Sequence, residues 1–275
     1  MLPNDLENIE ETSSKEQDLL KAQKAIAGDV PLIPSAPSTK LDLPRGRFNG
    51  SDWETEAEVR ELTGEDEEAL ARTKDPIDFF DAVVVYGTER LGSAQLGSMS
   101  FSERQGILAS LLIGEREQLF LRIASATYGD EKEFKHSCPS CNVSLDTIIF
   151  LSKDIKVTNP EKASSLVNTF VTSKGKTITY RLATGSDQME VLHKKGATTA
   201  EQNTLMISEC ITEIDGGPVL NPLSTARSLS MGDRRKLLDI LTSSQPSPDM
   251  NLEVTCVSCE FEMVLPLSWG DIFRP

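Results

Sequence analysis

Four of the five cysteines in this chain stand in two C-x-x-C motifs, Cys138 to Cys141 and Cys256 to Cys259, with 114 residues between them. Thiolates separated by two residues in a tight turn bind one edge of a tetrahedral Zn²⁺, and two such turns complete a structural site. We therefore predict that Cys138, Cys141, Cys256 and Cys259 bind one structural zinc. Three arrangements stay open: one ion within a chain, motifs that pair across a subunit boundary, and a site that holds no metal. The matching flanks of the two motifs favour the first.

Other chemistries of the two motifs are disfavoured. Residues 1–16 are polar and acidic, unlike a secretory signal, and cytosolic thiols stay reduced, which argues against a disulfide. A thioredoxin-like redox centre needs its C-x-x-C motif at a helix N-terminus, whereas both motifs here lie between predicted strands. The fifth cysteine, Cys210, stands in an apolar helical stretch and is predicted to be a small buried side chain.

Each motif lies at the tip of a predicted β-hairpin. When Cys138 is aligned on Cys256, apolar and polar residues alternate on both sides of the motifs, and no gap is needed. Such alternation is typical of a half-buried antiparallel hairpin. The matched pairs are Phe134 with Leu252, His136 with Val254, Val143 with Phe261, Leu145 with Met263, Thr147 with Leu265 and Ile149 with Leu267.

The similarity between the two halves extends upstream of the hairpins. Residues 59–66 and 180–187 both indicate a strand that enters a Thr-Gly turn, followed by an acidic residue that favours a helix start. Leu182 stands one residue farther from its Thr-Gly turn than Leu62 does, which indicates an inserted residue and leaves the register of the second strand open.

Further along, Ser98-Met99 is matched with Ser230-Met231, each before a run of leucines at helical spacing. We interpret the repeated order as an internal duplication. The predicted fold class is α+β, with a duplicated helical body whose two zinc-binding hairpins meet at one metal site.

The predicted organisation has three parts: an acidic tail with a Pro-rich linker (1–46), a first repeat (47–157) and a second repeat (158–275). The residues from Leu19 to Ile26 could form a short amphipathic helix. Two interpretations stay open: a disordered acidic tail, and a helix that docks on a partner while the linker supplies reach. Other helices are expected to begin at Asp75-Pro76 and to span Glu115–Ser125 and Ala200–Ile214, whereas Lys174-Gly175-Lys176 is expected to be a hairpin turn.

The composition excludes several classes of function. The 275 residues carry 43 acidic and 28 basic side chains, a net charge of −15. Surfaces that bind nucleic acid nonspecifically must neutralise phosphates, so a nucleic-acid-binding zinc ribbon is disfavoured. No run approaches the roughly 20 apolar residues of a membrane helix. We expect a soluble protein, without a membrane partner, that is cytoplasmic at synthesis.

Catalysis is also disfavoured. The chain has two histidines, and His136 occupies the hairpin position that Val254 fills in the other copy. His136 is therefore expected to be a partly buried hairpin residue, with a role as an extra zinc ligand as the weaker alternative. His193, beside two lysines, is expected at a solvated helix end. The phosphate-binding motif G-x-x-x-x-G-K-[ST] is absent from the sequence.

These motifs, in this order, resemble those of the T-even-type phage baseplate hub assembly proteins. Similar chains show an R-x-L-T-G-x-[DE] opening, as at Arg60 to Asp66, and a Tyr-Gly-Asp element before C-P-x-C, as at Tyr128 to Asp130. A second C-x-x-C then leads to an apolar C-terminus with a final aromatic residue, as at Phe273. The resemblance covers about residues 55–275.

The resemblance implies a non-enzymatic protein that helps to build a phage tail. Its partners would be baseplate hub or tail proteins, and its oligomeric state stays open. It would act either as a virion component or as an assembly factor in the host cytoplasm. The alternative is a cellular zinc-ribbon adaptor or regulator. Trp269, Ile272 and Phe273 are predicted to form part of the contact surface, although packing in the core is the stronger expectation for Trp269.

Overall fold

The structure is a computed structural model, and it describes residues 38–158 and 167–273. The helix predicted at Leu19 to Ile26 lies outside the described residues. Within them the chain forms helices and small antiparallel sheets, which confirms the α+β class. No helix in these two ranges is long and apolar enough to cross a membrane.

The first half begins with two paired strands and ends with a hairpin and a short helix. Its elements are β1 (Thr39–Phe48), β2 (Trp53–Val59), α1 (Gly64–Leu70), α2 (Pro76–Gly87), β3 (Thr88–Leu91), β4 (Ala94–Gln95), a 3-10 helix (Leu96–Ser98), α3 (Phe101–Ala109), α4 (Ile113–Tyr128), β5 (Glu131–Ser137), β6 (Ser144–Phe150) and α5 (Leu151–Asp154).

The second half has a similar order of elements. They are β7 (Asn168–Val171), β8 (Thr177–Tyr180), α6 (Gly185–Leu192), α7 (Thr199–Cys210), β9 (Ile211–Ile214), β10 (Gly217–Pro218), α8 (Pro222–Ser228), α9 (Met231–Ser243), β11 (Asn251–Thr255), β12 (Glu262–Pro266) and α10 (Trp269–Ile272). The turn predicted at Lys174 to Lys176 joins β7 to β8.

The two four-stranded antiparallel sheets share one strand order and one irregularity. Their orders are β1-β2-β3-β4 and β7-β8-β9-β10. The pairing of β2 with β3 shifts its register between Glu58 and Val59, and the pairing of β8 with β9 shifts between Thr179 and Tyr180. Both shifts fall immediately before the arginine that leads into a Thr-Gly turn.

Each Thr-Gly turn is held by the same hydrogen bonds. The threonine caps the following helix, and its backbone N–H donates to an aspartate oxygen over 2.8 Å in the first half and 2.7 Å in the second. An arginine donates two hydrogen bonds to that aspartate. The residues are Arg60, Thr63 and Asp66 in the first half and Arg181, Thr184 and Asp187 in the second. Their spacing along the chain is identical, so the inserted residue predicted at Leu182 does not exist.

The structure corrects two predictions in the helical part. Ser100 caps α3 and Ser230 caps α9, so Ser100 rather than Ser98 corresponds to Ser230. Helix α7 ends at Cys210 instead of continuing to Ile214, because the residues of β9 pair with β8. The chain turns back after Ile214 into β10, so the glycines that follow belong to a hairpin.

The boundary predicted at residue 46 falls within β1. This strand begins at Thr39, and its pairing with β2 is interrupted between Asp42 and Arg47, the stretch that contains Pro44. Proline has no N–H to donate, and an edge strand tolerates it where pairing is interrupted. The last part of the predicted linker is therefore a strand.

Helix α4 contacts both halves of the chain. Glu115 accepts hydrogen bonds of 2.6 Å from the backbone N–H groups of Arg45 and Gly46 in β1. Gln118 donates over 2.6 Å to the carbonyl of Pro246, in the segment that follows α9. That segment leads directly to β11, so among the described residues the second half has no counterpart of α4.

A buried ion pair joins the start of α4 to α2. The side chains of Arg116 and Asp81 are 0% and 3% exposed, and Gln105 donates to the same carboxylate over 2.7 Å. Arg116 also lies against the start of α6, where a Cβ at Gly185 would stand 2.5 Å from its Cδ. Because a side chain does not fit there, Gly185 provides the space that the ion pair needs.

The C-terminal aromatic residues pack inward, which corrects their prediction as a contact surface. The ring centroids of Trp269 and Phe273 lie 5.4 Å and 5.2 Å from that of Phe120 in α4. Ile272 is fully buried. These three residues belong to the core, as was the stronger expectation for Trp269.

Candidate metal centre

The two cysteine motifs lie at the tips of antiparallel hairpins, as predicted. In the first Cys hairpin (β5 and β6), His136 pairs with Leu145. In the second Cys hairpin (β11 and β12), Val254 pairs with Met263. These are matched positions of the alignment, so the two hairpins have the same register on either side of their cysteines.

Both hairpin tips have the same backbone conformation. The first cysteine of each motif donates its N–H across the turn and accepts one at its carbonyl. The fourth residue after it has a positive φ, 58° at Asn142 and 57° at Glu260. The bonds run from Cys138 N to Val143 O (3.0 Å), Asn142 N to Cys138 O (2.9 Å), Cys256 N to Phe261 O (2.9 Å) and Glu260 N to Cys256 O (2.9 Å).

The four predicted ligands converge. Their sulfur atoms all lie within 4.8 Å of one another. The Sγ atoms are 3.7 Å apart between Cys138 and Cys259, and 3.8 Å apart between Cys141 and Cys256. A disulfide requires about 2.05 Å, whereas a tetrahedron with metal–sulfur bonds of about 2.3 Å has edges of about 3.8 Å. The cross-hairpin distances therefore fit a shared tetrahedral metal ion.

The site is half enclosed. Cys138 and Cys256 are buried, whereas Cys141 and Cys259 are exposed. Leu145 and the partly buried Val143 and Met263 pack against the buried pair. Each hairpin therefore contributes one sulfur on the protein side and one on the solvent side.

The protein environment separates the thiols of the first motif. Burial acts to raise the pKa of Cys138, but hydrogen bonds from the N–H groups of Cys141 and Ser140 and from the facing thiols lower it to about 7. The N–H of Val143 acts to lower the pKa of Cys141, but burial and the neighbouring thiols raise it to about 11. N–H groups aimed at a sulfur favour the thiolate, the form that binds metal.

The bases of the two hairpins share one apolar cluster with α4. Ile149 and Leu151 from the first side meet Leu252 and Leu267 from the second, and Ala124 of α4 closes the cluster. The hairpins are thus joined at their bases by packing and at their tips by the cysteines.

The remaining candidates do not belong to the group of four sulfurs. His136 is half buried, as expected, and neither ring nitrogen has a hydrogen-bond partner in the described part of the chain. His193 caps the C-terminus of α6, and its Nε2 lies 2.7 Å from Asp78 Oδ1. Cys210 is fully buried, and burial raises the pKa of its thiol to about 12. Cys210 is therefore the small buried side chain that was expected.

Sequence reasoning missed the charged residues inside the fold. Glu115 and Arg116 of α4 are fully buried. A sequence signal for Glu115 was present. In a capping box, an acid at the third helical position accepts a hydrogen bond from the backbone N–H of the N-cap residue. Glu115 accepts such a bond from Leu112 N over 3.0 Å. No sequence signal marks Arg116, whose partner Asp81 lies 35 positions away.

Comparison with known protein families identifies a relationship that covers both Cys hairpins. A family model described as T4 bacteriophage base plate protein matches residues 99–274, which contain both Cys hairpins. No curated protein and no solved structure matches the chain.

Proposed function

The chain belongs to the family of T4 bacteriophage base plate proteins, because the family model spans more than half of it, and from this premise we propose that it is a non-enzymatic structural or assembly protein of a phage baseplate hub. The family match is the observation that carries the proposal. It favours a partner among baseplate hub or tail proteins over the alternative of a cellular zinc-ribbon adaptor.

Cys138, Cys141, Cys256 and Cys259 hold one structural Zn²⁺ in this proposal. The four sulfurs come from one chain, and the cross-hairpin distances of 3.7 Å and 3.8 Å match a tetrahedral edge, which supports the arrangement within a chain over bridging between subunits. When bound, zinc supplies a link between the two hairpin tips and no redox chemistry. The residues around it exclude water from Cys138 and Cys256 and hold the hairpin bases together.

The proposal includes an internal duplication. Four features occur in both halves: the strand order of the four-stranded sheet, the register shift beside the Thr-Gly turn, the Arg-Thr-Asp cap and the hairpin with its positive-φ residue. Exchanging the two hairpins converts the contact of Cys138 with Cys259 into that of Cys256 with Cys141. This exchange is the local two-fold symmetry expected of two copies around one ion.

A non-enzymatic role is supported by how the reactive side chains are used. The four cysteines of the two motifs lie close together, and Cys210 is buried with a raised pKa. The pairing of His193 is with an exposed carboxylate at a helix end. In the described residues neither histidine is hydrogen-bonded to a hydroxyl or thiol that it might activate.

Infected cells test this function. A phage in which the gene is interrupted should produce tails without complete baseplates, as seen by electron microscopy, and the gene supplied in trans should restore them. Normal baseplates without the protein would overturn the proposal. Antibody detection in purified particles then assigns the role: presence marks a virion component, and absence marks an assembly factor in the cytoplasm.

A further inference from the structure

A cleft of about 290 Å³ opens between β1, α4 and the chain that follows β6. Its floor is apolar and consists of Leu41, Leu121, Leu151, Ile155 and Val157. Arg122, Lys153 and Lys156 line the same cleft, and none of its described lining residues is acidic. We call this surface the basic cleft. It is unusual in a chain whose net charge is −15.

The three cations of the basic cleft form no ion pair with the residues that the structure describes. Within the described ranges, no carboxylate lies within ion-pair distance of Arg122, Lys153 or Lys156. The ammonium of Lys153 lies 4.9 Å from the ring centroid of Phe150, which is itself exposed. The cations are therefore available to an anionic group from outside.

The neutral polar groups of the basic cleft are already used. Ser152 Oγ donates to Asp130 over 2.6 Å, and Ser125 Oγ donates to the same carboxylate over 3.2 Å. Burial acts to raise the pKa of Asp130, but these bonds and the nearby charge of Arg122 lower it. Asp130 is thus committed behind the cleft, and it reduces the positive charge of the rim without occupying it.

The two short helices that follow the Cys hairpins pack differently. After the second hairpin, Trp269 of α10 and Phe273 contact the ring of Phe120 edge-on or tilted. After the first hairpin, α5 and the chain behind it border the basic cleft, whose floor includes the exposed Val157 and the half-buried Leu41. Exposed apolar side chains beside cations are typical of a docking surface.

The basic cleft shares two residues with a larger groove. Lys153 and Lys156 also line a groove of about 700 Å³ between β6 and β11, where the carboxylates of Asp154, Asp249 and Glu253 line it too. Like charges repel, so this groove disfavours acidic side chains. The acids of a bound segment are therefore expected in the basic cleft, against its cations.

We propose that the basic cleft binds an acidic, amphipathic segment of a partner protein. This inference deepens the proposed function and rests on it, because a hub protein works through contacts with other proteins. Apolar side chains of the segment would cover Leu41 and Val157, and its carboxylates would pair with Arg122, Lys153 and Lys156. Complementary charge of this kind sets partner choice and association rate.

Fluorescence anisotropy with the full-length protein tests the inference. The probe is a fluorescein-labelled peptide of Glu and Leu, compared with one in which Ser replaces Leu and one in which Lys replaces Glu. The cleft variant carries Arg122→Gln, Lys153→Gln and Lys156→Gln. The matched control carries Lys194→Gln, Lys195→Gln and Arg227→Gln, which removes the same charge from another cleft. Circular dichroism checks that both variants fold.

We expect the cleft variant to bind the Glu-Leu peptide about tenfold more weakly, and the control variant to bind it as the parent does. Equal weakening in both variants, or equal affinity for the Ser peptide or for a labelled single-stranded oligonucleotide, would overturn the inference. So would a loss of dimers in the cleft variant alone, since it would identify a second copy as the occupant. The peptide assay needs no phage. If it fails while the interrupted gene still yields tails without complete baseplates, this inference is contradicted and the proposed function stands.

Discussion

The sulfur atoms of Cys138 and Cys259 lie 3.7 Å apart although the residues are 121 positions apart in the chain. The matching contact, between Cys141 and Cys256, has a length of 3.8 Å. Each hairpin therefore completes an edge of the site that the other begins. Neither half contains a site by itself, so metal binding should report on the association of the two halves.

Replacing one ligand should release the metal and loosen the two halves. We expect Cys256→Ser to abolish zinc binding and to lower the free energy of unfolding by about 3 kcal/mol or more, since metal affinity is coupled to folding. Zinc content by elemental analysis and urea unfolding measure the two effects. Cys210→Ala is the matched control: it should keep its zinc and cost about 1 kcal/mol. Equal zinc content in the two variants would contradict the assignment.

The helix starts of the two halves should respond differently to the same substitution. An added Cβ at Gly185 would stand 2.5 Å from Arg116, whereas one at Gly64 meets nothing within 4 Å. We expect Gly185→Ala to destabilise the protein by about 2 kcal/mol, because the ion pair of Arg116 with Asp81 must shift. Gly64→Ala should change stability by less than about 1 kcal/mol, in the stabilising direction. Urea unfolding measures the free energy of unfolding of both variants, and equal losses would contradict the predicted difference between the two helix starts.

The cap of α6 should make stability depend on acid pH. Burial acts to raise the pKa of Asp187, but bonds from Arg181 and Thr184 lower it below its usual range. Its contribution is therefore present above the unfolded value of about 3.9 and is lost as pH falls through the lower folded value. We expect Asp187→Asn to cost about 2 kcal/mol at neutral pH and to flatten the fall in unfolding free energy below about pH 4.

An exposed aspartate provides the control for this pH dependence. Asp78→Asn removes a carboxylate whose side chain is 50% exposed and whose ion-pair partner among the described residues is His193. At neutral pH it should cost less than about 1 kcal/mol, as is usual for an exposed pair, so it separates loss of the buried cap from loss of one negative charge. A parental pH slope for Asp187→Asn would show that the cap is not the titrating group.

The carboxylate of Glu115 should be essential for the junction of α4 with β1. It accepts the N–H groups of Arg45, Gly46 and Leu112, and burial raises its pKa against their opposing effect. Glu115→Ala leaves three N–H donors unpaired, two of them buried, so we expect a loss of about 3 kcal/mol or more in chemical unfolding. Glu103→Ala, at an exposed cap, should cost less than about 1 kcal/mol. An equally small loss for Glu115→Ala would contradict this prediction and would indicate that water accepts hydrogen bonds from these N–H groups.

Local patterns were sufficient to predict the hairpins and their tips. Cys138 and Cys256 have alternating flanks that align without a gap, and the paired positions are set by each hairpin alone. The helix that begins after Asp75 and the turn at Gly175 were predicted for the same reason, since a cap and a glycine act within a few residues. Convergence of the four cysteines followed from metal chemistry.

Features that depend on distant contacts were not predictable. Pro44 indicated a linker, but Glu115 takes the nearby N–H groups and holds β1 in place. Ile211 continued a helical pattern, yet its strand pairs with β8. Phe273 was predicted to be a surface residue, but its ring packs against that of Phe120, which is distant in the chain. The basic cleft draws its cations from α4 and from the chain after β6, so no sequence window contains it.

The most direct test of the zinc-linked body is the zinc content per chain together with the mass in solution, before and after chelation. Native mass spectrometry of the full-length protein reports both. We predict one Zn²⁺ bound to each chain, and a lower unfolding temperature with an unchanged oligomeric mass after chelation. Half an ion per chain, or oligomers that dissociate when the metal is removed, would contradict a site built within one chain.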